Sequence, residues 1–138
     1  MAYLLNKLAG ANTSNGGTSE DFALGGAGSD TPRGSNGDDT LNGGNDAEQY
    51  VSIELSGTDT IAGLRSGLDR IDLSEFNADA NITAEGCFIW IGIAACQLRT
   101  YTAEGDTFLA SDLNSDDYAD FTINLGRDGM VLSDLIRA

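Results

Sequence analysis

At 138 residues, with 22 acidic side chains against 7 basic ones and a formal net charge of -15, the chain is one domain, or one domain with a short appendage, and it repels nucleic acid and anionic membrane surfaces. It has no histidine, which excludes Ser-His and Cys-His catalytic pairs and any histidine-bound zinc. No apolar run approaches the length needed to cross a bilayer, so membrane insertion is not expected either.

The opening MAYLLNKLAG is too short in its apolar part for a secretory leader. Tyr3, Leu4, Leu5 and Leu8 are spaced as one face of a short helix that would cover the start of the next element, with a frayed terminus as the alternative. Residues 1–15 are therefore read as an N-terminal cap or tail.

From Gly16 to Val51 the chain reads as four nine-residue blocks, GGTSEDFAL, GGAGSDTPR, GSNGDDTLN and GGNDAEQYV. Gly16, Gly25, Gly34 and Gly43 stand first in each block, and Asp21, Asp30, Asp39 and Glu48 stand sixth. A fixed period this short marks a solenoid. A Gly-Gly-x-Gly-x-Asp run turns through positive φ without a Cβ clash and presents carbonyls and one carboxylate together. Hard oxygen donors of that kind suit calcium, and divalent cations would relieve the self-repulsion of so acidic a chain. The last three residues of each block predict a short strand whose middle residue points inward, giving Ala23, Pro32, Leu41 and Tyr50. A flexible linker would share this composition but would not hold glycine and acid in phase. The match to the Gly-Gly-x-Gly-x-Asp run is strong in the second and third blocks, where Ser35 replaces a second-position glycine, and degraded at both ends, where Ser19 and Asp46 replace fourth-position glycines and Glu48 replaces aspartate.

This stretch resembles the RTX nonapeptide repeat, G-G-x-G-x-D-x-U-x with U a large apolar residue, which coils into a parallel β-roll. The resemblance implies that one coil takes two blocks, that the Gly16 block stacks on the Gly34 block and the Gly25 block on the Gly43 block, and that several calcium ions lie between same-side turns. Gly26, Gly28 and Gly37 join the glycines and acids at positions 25, 34, 43 and 21, 30, 39, 48 as candidate ligands.

Beyond the repeats, Val51, Ile53 and Leu55 alternate as a strand, and Gly57-Thr58-Asp59 reads as a turn. Asp59-Thr60-Ile61 and Gly67-Leu68-Asp69-Arg70-Ile71-Asp72-Leu73-Ser74 resemble the segment that follows the roll in the C-terminal domain of serralysin-type secreted metalloproteases. That resemblance makes Asp59, Asp69 and Asp72 candidates for a further calcium. The alternative is a turn capped by Asp69 and a strand on which Asp72 points outward. Cys87 and Cys96 flank two apolar strands joined near Gly92, as a disulfide or as two buried thiols. The region FIWIGIAACQLRTY is again similar to that domain. Phe108 to Ala110 predicts a strand. Asp112, Asn114, Asp116, Tyr118 and Asp120 then follow the first part of an EF-hand-like loop, against the simpler reading of an acidic hairpin turn. Phe121, Ile123 and Leu125 alternate as a half-buried strand.

Asp134-Leu135-Ile136 is similar to the terminus of proteins exported by type I secretion. The expected fold is thus all-β, a short parallel β-roll over residues 16–51 followed by an antiparallel, sandwich-like β cap with an export signal over residues 52–138. The expected function is a secreted, non-enzymatic calcium-binding module, with calcium and the type I secretion machinery as partners. The second reading is a carbohydrate-binding accessory module like those of alginate epimerases, whose polysaccharide would meet Arg65, Arg70, Arg99, Arg127, Arg137, Trp90 and Tyr101. An enzyme built on paired carboxylates is disfavoured, because the acids stand in calcium-loop spacing and in no apolar pocket.

Overall fold

A computed structural model describes residues 2, 4–6, 9–51, 57–72, 89–90, 97–112, 118–119, 121–127 and 135–136. Each repeat block lays its final three residues and the next pair of glycine positions into one strand. This gives β2 (Thr13–Gly17), β3 (Phe22–Gly26), β4 (Thr31–Ser35) and β5 (Thr40–Gly44), preceded by β1 (Leu4–Asn6) and followed by β6 (Gln49–Val51). Along these strands the U position and the first glycine alternate inward with period two, as a strand pleat requires.

Successive strands go to opposite sheets, and strands two blocks apart pair in parallel, Thr13 with Thr31 and Phe22 with Thr40. One coil therefore takes two blocks. The next coil is longer. β7 (Thr58–Ile61) pairs Thr60 with Thr40, and β8 (Arg70–Asp72) pairs Ile71 with Tyr50. The extra residues lie outside the strands, so the inward columns stay intact. Leu5, Ala23, Leu41 and Ile61 are successive partners in one sheet, and Ser14 with Pro32 and Tyr50 with Ile71 in the other.

The antiparallel part of the chain is built onto one of these sheets. β10 (Gln97–Ala103) and β11 (Asp106–Asp112) form a hairpin through Glu104 and Gly105. Both loop residues have positive φ, 54° and 91°, the backbone a two-residue hairpin loop needs to match strand twist. β12 (Phe121–Asn124) pairs antiparallel with β11 and parallel with β7, joining this region to the roll. The result is an eight-stranded sheet ordered β1-β3-β5-β7-β12-β11-β10-β9, with β9 at Ile89–Trp90, facing a five-stranded sheet ordered β13-β8-β6-β4-β2, with β13 at Leu135–Ile136. No helix occurs among the described residues.

The core runs between the sheets through both halves. Ala23, Leu41, Tyr50, Ile61, Leu64 and Ile71 from the roll join Leu109, Phe121, Ile123 and Leu125 from the closing strands. The Tyr50 hydroxyl accepts the Gly43 amide at 3.1 Å, so a polar tip enters the core with a partner.

Three local expectations change. Residues 4–6 form a strand rather than a helix face, because the edge of β3 offers unpaired backbone groups and Leu5 packs beside the small Ala23, leaving Leu4 outward and 67 % exposed. Gly57 turns, with φ 97°, but Thr58 and Asp59 already belong to β7. β9 runs parallel to β10, so these two strands are not the arms of one hairpin. Cys87, Cys96, Ile53 and Leu55 lie outside the described residues.

Leu41 stands mid-column and fully buried, so Leu41→Ala should cost roughly 2–5 kcal/mol in chemical denaturation. Phe22→Ala, on the outward side of the neighbouring strand and 42 % exposed, should cost less than about 1 kcal/mol. Equal losses would contradict the inward and outward assignment.

Candidate metal centre

Where the strands end, the sixth-position acids stack into two rows along the roll. In the first row Asp39 Oδ1 accepts the main-chain amide of Asp21 at 2.8 Å, and Asp59 Oδ1 accepts that of Asp39 at 3.1 Å. In the second, Asp30 Oδ1 accepts the amide of Asn12 at 2.8 Å, Glu48 Oε2 that of Asp30 at 3.2 Å, and Asp69 Oδ1 that of Glu48 at 3.1 Å. The carbonyl of each lower residue is used as well. Thr40 donates to Asp21 O, Thr60 to Asp39 O, Gln49 to Asp30 O and Arg70 to Glu48 O. Each rung is thus closed by a carboxylate bond and a backbone bond. Asp59 and Asp69 continue the rows although the spacing has stretched beyond two blocks.

All six acids are buried. One oxygen of each upper carboxylate is satisfied by the amide below it, but Asp30 Oδ2, Asp39 Oδ2 and Glu48 Oε1 are buried with no hydrogen-bond partner. Burying an ionised carboxylate in that state is strongly unfavourable unless a cation is supplied. Room for these carboxylates is left by the first glycine of each block. A Cβ on Gly34 would lie 2.5 Å from Asp39 Oδ2, one on Gly43 2.5 Å from Glu48 Oε2, and one on Gly16 2.8 Å from Asp21 Oδ2 and 2.5 Å from the Gly34 carbonyl oxygen. A Cβ on Gly25 would run into both Asp30 Oδ2 and the Gly43 carbonyl. Carboxylate and carbonyl oxygens therefore converge from neighbouring coils.

Among the described residues no three acidic or thiol side chains gather at one point. That agrees with a site made of one carboxylate per turn plus main-chain carbonyls. Such a donor set, all hard oxygen, fits calcium and not the nitrogen- and sulfur-preferring metals.

The electrostatics reflect the burial of these acids. Burial raises the Asp39 carboxyl above its ordinary value. The Asp21 amide bond opposes this, and the charges of Asp21 and Asp38 add to it. Burial likewise raises Glu48, opposed by the Asp30 amide and by Arg65, and reinforced by Asp30 and Asp69. Tyr50 is pushed up to about 12, chiefly by burial.

The remaining candidates are distributed differently. Gly26, Gly28 and Gly37 line the turns with positive φ, and the Gly28 amide donates to Asp46 Oδ2 at 2.8 Å. Asp72 lies within β8 and accepts the Gln49 side-chain amide at 2.7 Å, apart from both rows. Asp112 ends β11, Tyr118 is 76 % exposed, and Asn114, Asp116 and Asp120 lie outside the described residues. Three participants were not singled out as ligands by sequence. Asp46 and Asp38 bridge coils through the Gly28 and Thr58 amides; both are acids inside repeat turns, which is the only signal that marks them. Arg65, a candidate for sugar contact, instead turns its guanidinium onto Asp69 and the carbonyls of Asn45 and Asp46. Exposed Arg127 lies 4.0 Å from Asp106.

Because Asp39 and Glu48 titrate above their ordinary values in the folded chain, the fold binds more protons than the unfolded chain across that interval. Their stabilising contribution is complete below the ordinary values of 3.8 and 4.5 and is lost as pH rises through the raised ones. In chelator, the β content followed by circular dichroism should therefore be greatest at and below the ordinary carboxylate values and fall as pH rises through the raised ones. A rise over that range would contradict the assignment.

The family described as Peptidase M10 serralysin C terminal matches residues 11–137. A comparison with curated proteins finds no match. Among solved structures, the solution structure of the AlgE6R3 subunit from the Azotobacter vinelandii mannuronan C5-epimerase is similar at 18% sequence identity and a TM-score of 0.39, covering 96% of this chain and 80% of that one. With its two-block coils, stacked acids and family match over nearly its whole length, the chain belongs to the serralysin C-terminal family, and is a β-roll of the calcium-binding repeat type.

Proposed function

We propose that the chain is a non-enzymatic module of a secreted protein whose folding is driven by extracellular calcium after type I export. Calcium ions are held between coils by Asp21, Asp30, Asp39, Glu48 and Asp59 together with the turn carbonyls around Gly25, Gly34 and Gly43, whereas both oxygens of Asp69 are already bonded. The observation that carries this is that Asp30 Oδ2 and Asp39 Oδ2 are buried without hydrogen-bond partners and lie against glycines where no side chain fits. When bound, calcium supplies the positive charge that these oxygens lack, and the net charge of -15 falls with every ion.

Extracellular calcium modules bind at roughly 10⁻⁴ to 10⁻³ M. In the cytosol such sites stay empty and the rows of acids repel one another. Outside, each site at about ten times its dissociation constant adds on the order of 1.4 kcal/mol by mass action. Four ions would then contribute roughly 5 kcal/mol, comparable to the whole stability of a small domain. Folding and metal binding become one event. The C-terminal strand supports the export side of this reading. β13 pairs with β8 in the folded molecule, so a secretion machine that reads Asp134-Leu135-Ile136 would need the chain unfolded, the state that low calcium favours.

Circular dichroism should show an expanded chain in chelator and a β-rich one in millimolar calcium; an unchanged spectrum would refute the proposal. Gly25 does not require left-handed backbone, so Gly25→Ala tests the space over it rather than the turn. It should bind fewer calcium ions than the wild-type chain by isothermal titration calorimetry, and an equal number would show that the glycine cradle holds no metal.

A further inference from the structure

The second row of acids does not end as it begins. At its first rung Asp30 Oδ2 is buried and has no hydrogen-bond partner. At its last, both oxygens of Asp69 are used. Oδ2 accepts the Arg65 amide at 2.7 Å and Arg65 Nε at 3.5 Å, and Oδ1 accepts the Glu48 amide at 3.1 Å and Arg65 Nη2 at 3.3 Å. The guanidinium also donates from Nη1 to the Asn45 carbonyl and from Nη2 to the Asp46 carbonyl, in the turn of the coil below. Its Nη2 lies 4.0 Å from Glu48 Oε1, the last oxygen in the row without a hydrogen bond. The carboxylates of Glu48 and Asp69 are fully buried, whereas the arginine side chain is 36 % exposed.

We propose that Arg65 is a built-in cation that takes the place of the terminal calcium of this row. The donors it collects are turn carbonyls from one coil and carboxylates from that coil and the next, the same chemical set that elsewhere in the roll faces glycine. A guanidinium suits this role because it is always charged and presents a planar fork of N–H donors. Leu64, fully buried beside it, and the Asp69 and Leu68 amides bonded to the Arg65 carbonyl fix its backbone. The second row is thereby closed by a charge that needs no calcium.

This inference rests on the calcium reading above, and the test separates the two. In millimolar calcium the ions bound per chain are counted by calorimetry, and the calcium dependence of folding is followed by circular dichroism. Arg65→Ala should bind one more calcium than the wild-type chain, with a folding midpoint at several-fold higher calcium and a steeper dependence on it. Arg65→Lys, which keeps a tethered cation, should retain the wild-type number. A wild-type chain that binds no calcium overturns the parent reading. If the wild type binds calcium while Arg65→Ala binds the same number or fewer, Arg65 is only a structural clip and the inference alone falls. Failure of Arg65→Ala to fold at any calcium concentration overturns it too, since the place would then accept no ion.

Discussion

A carboxylate has two oxygens, and at Asp30, Asp39 and Glu48 in this roll only one of them holds a hydrogen bond. The amide of the acid two blocks earlier takes the first and fixes the stacking distance between coils. At Asp30 and Asp39 the second lies against a glycine, buried and without a hydrogen bond. A neutral acceptor such as asparagine would satisfy the amide equally well. The anionic group is therefore suited to something beyond the backbone ladder, and its burial is favourable only when a positive charge arrives. Calcium is the simplest charge of the right hardness, because every donor that faces it is oxygen.

That constraint reaches into the packing. The inward columns of the roll are short, and their early members are small or polar, Ser14, Ala23 and Pro32. Such a column buries little apolar surface per coil, and hydrophobic stabilisation scales with that surface. Apart from the half-buried Leu5 at the start of one column, larger residues appear from Leu41 onward, where Ile61, Ile71, Ile123 and Leu109 join one core. The roll is thus weakest in apolar burial where its acids are in strict nine-residue register, and strongest where the hairpin strands close over it. The closing strands and larger residues thus lie toward the opposite end of one continuous pair of sheets from the strictly spaced acids.

Much of this was legible in the residues. A period of nine with glycine first and acid sixth gave the solenoid and the inward identity of Ala23, Pro32, Leu41 and Tyr50, because turn chemistry and strand alternation are both local, while the pairing of blocks two apart came from the resemblance to the RTX repeat. The parts that escaped are set by distant partners. Whether Leu4, Leu5 and Leu8 make a helix or a strand is undecidable from so short an apolar run; the free edge of β3 decides it. The longer third coil is invisible to a fixed period, yet parallel pairing of Thr60 with Thr40 and Ile71 with Tyr50 brings Asp59 and Asp69 back into the rows. The cross-coil bonds of Asp38 and Asp46 depend on that same stacking, so no spacing along the chain announces them.

The least regular block also finds its explanation in space rather than in sequence. The fourth block carries Asp46 where the repeat has glycine and Glu48 where it has aspartate, which reads as decay when compared with its neighbours. In the structure these positions are where the guanidinium docks. The longer arm of Glu48 keeps one oxygen on the Asp30 amide, at 3.2 Å against 2.8 Å for the aspartate at the preceding rung, while the other oxygen turns toward Arg65. Asp46 gives its carbonyl to the same arginine and its side chain to the Gly28 amide. A glycine at that position would offer the carbonyl but no tie to the coil below. Two of the departures from the repeat, Asp46 and Glu48, thus lie where the row meets an organic cation, whose size and donor geometry differ from those of a spherical ion.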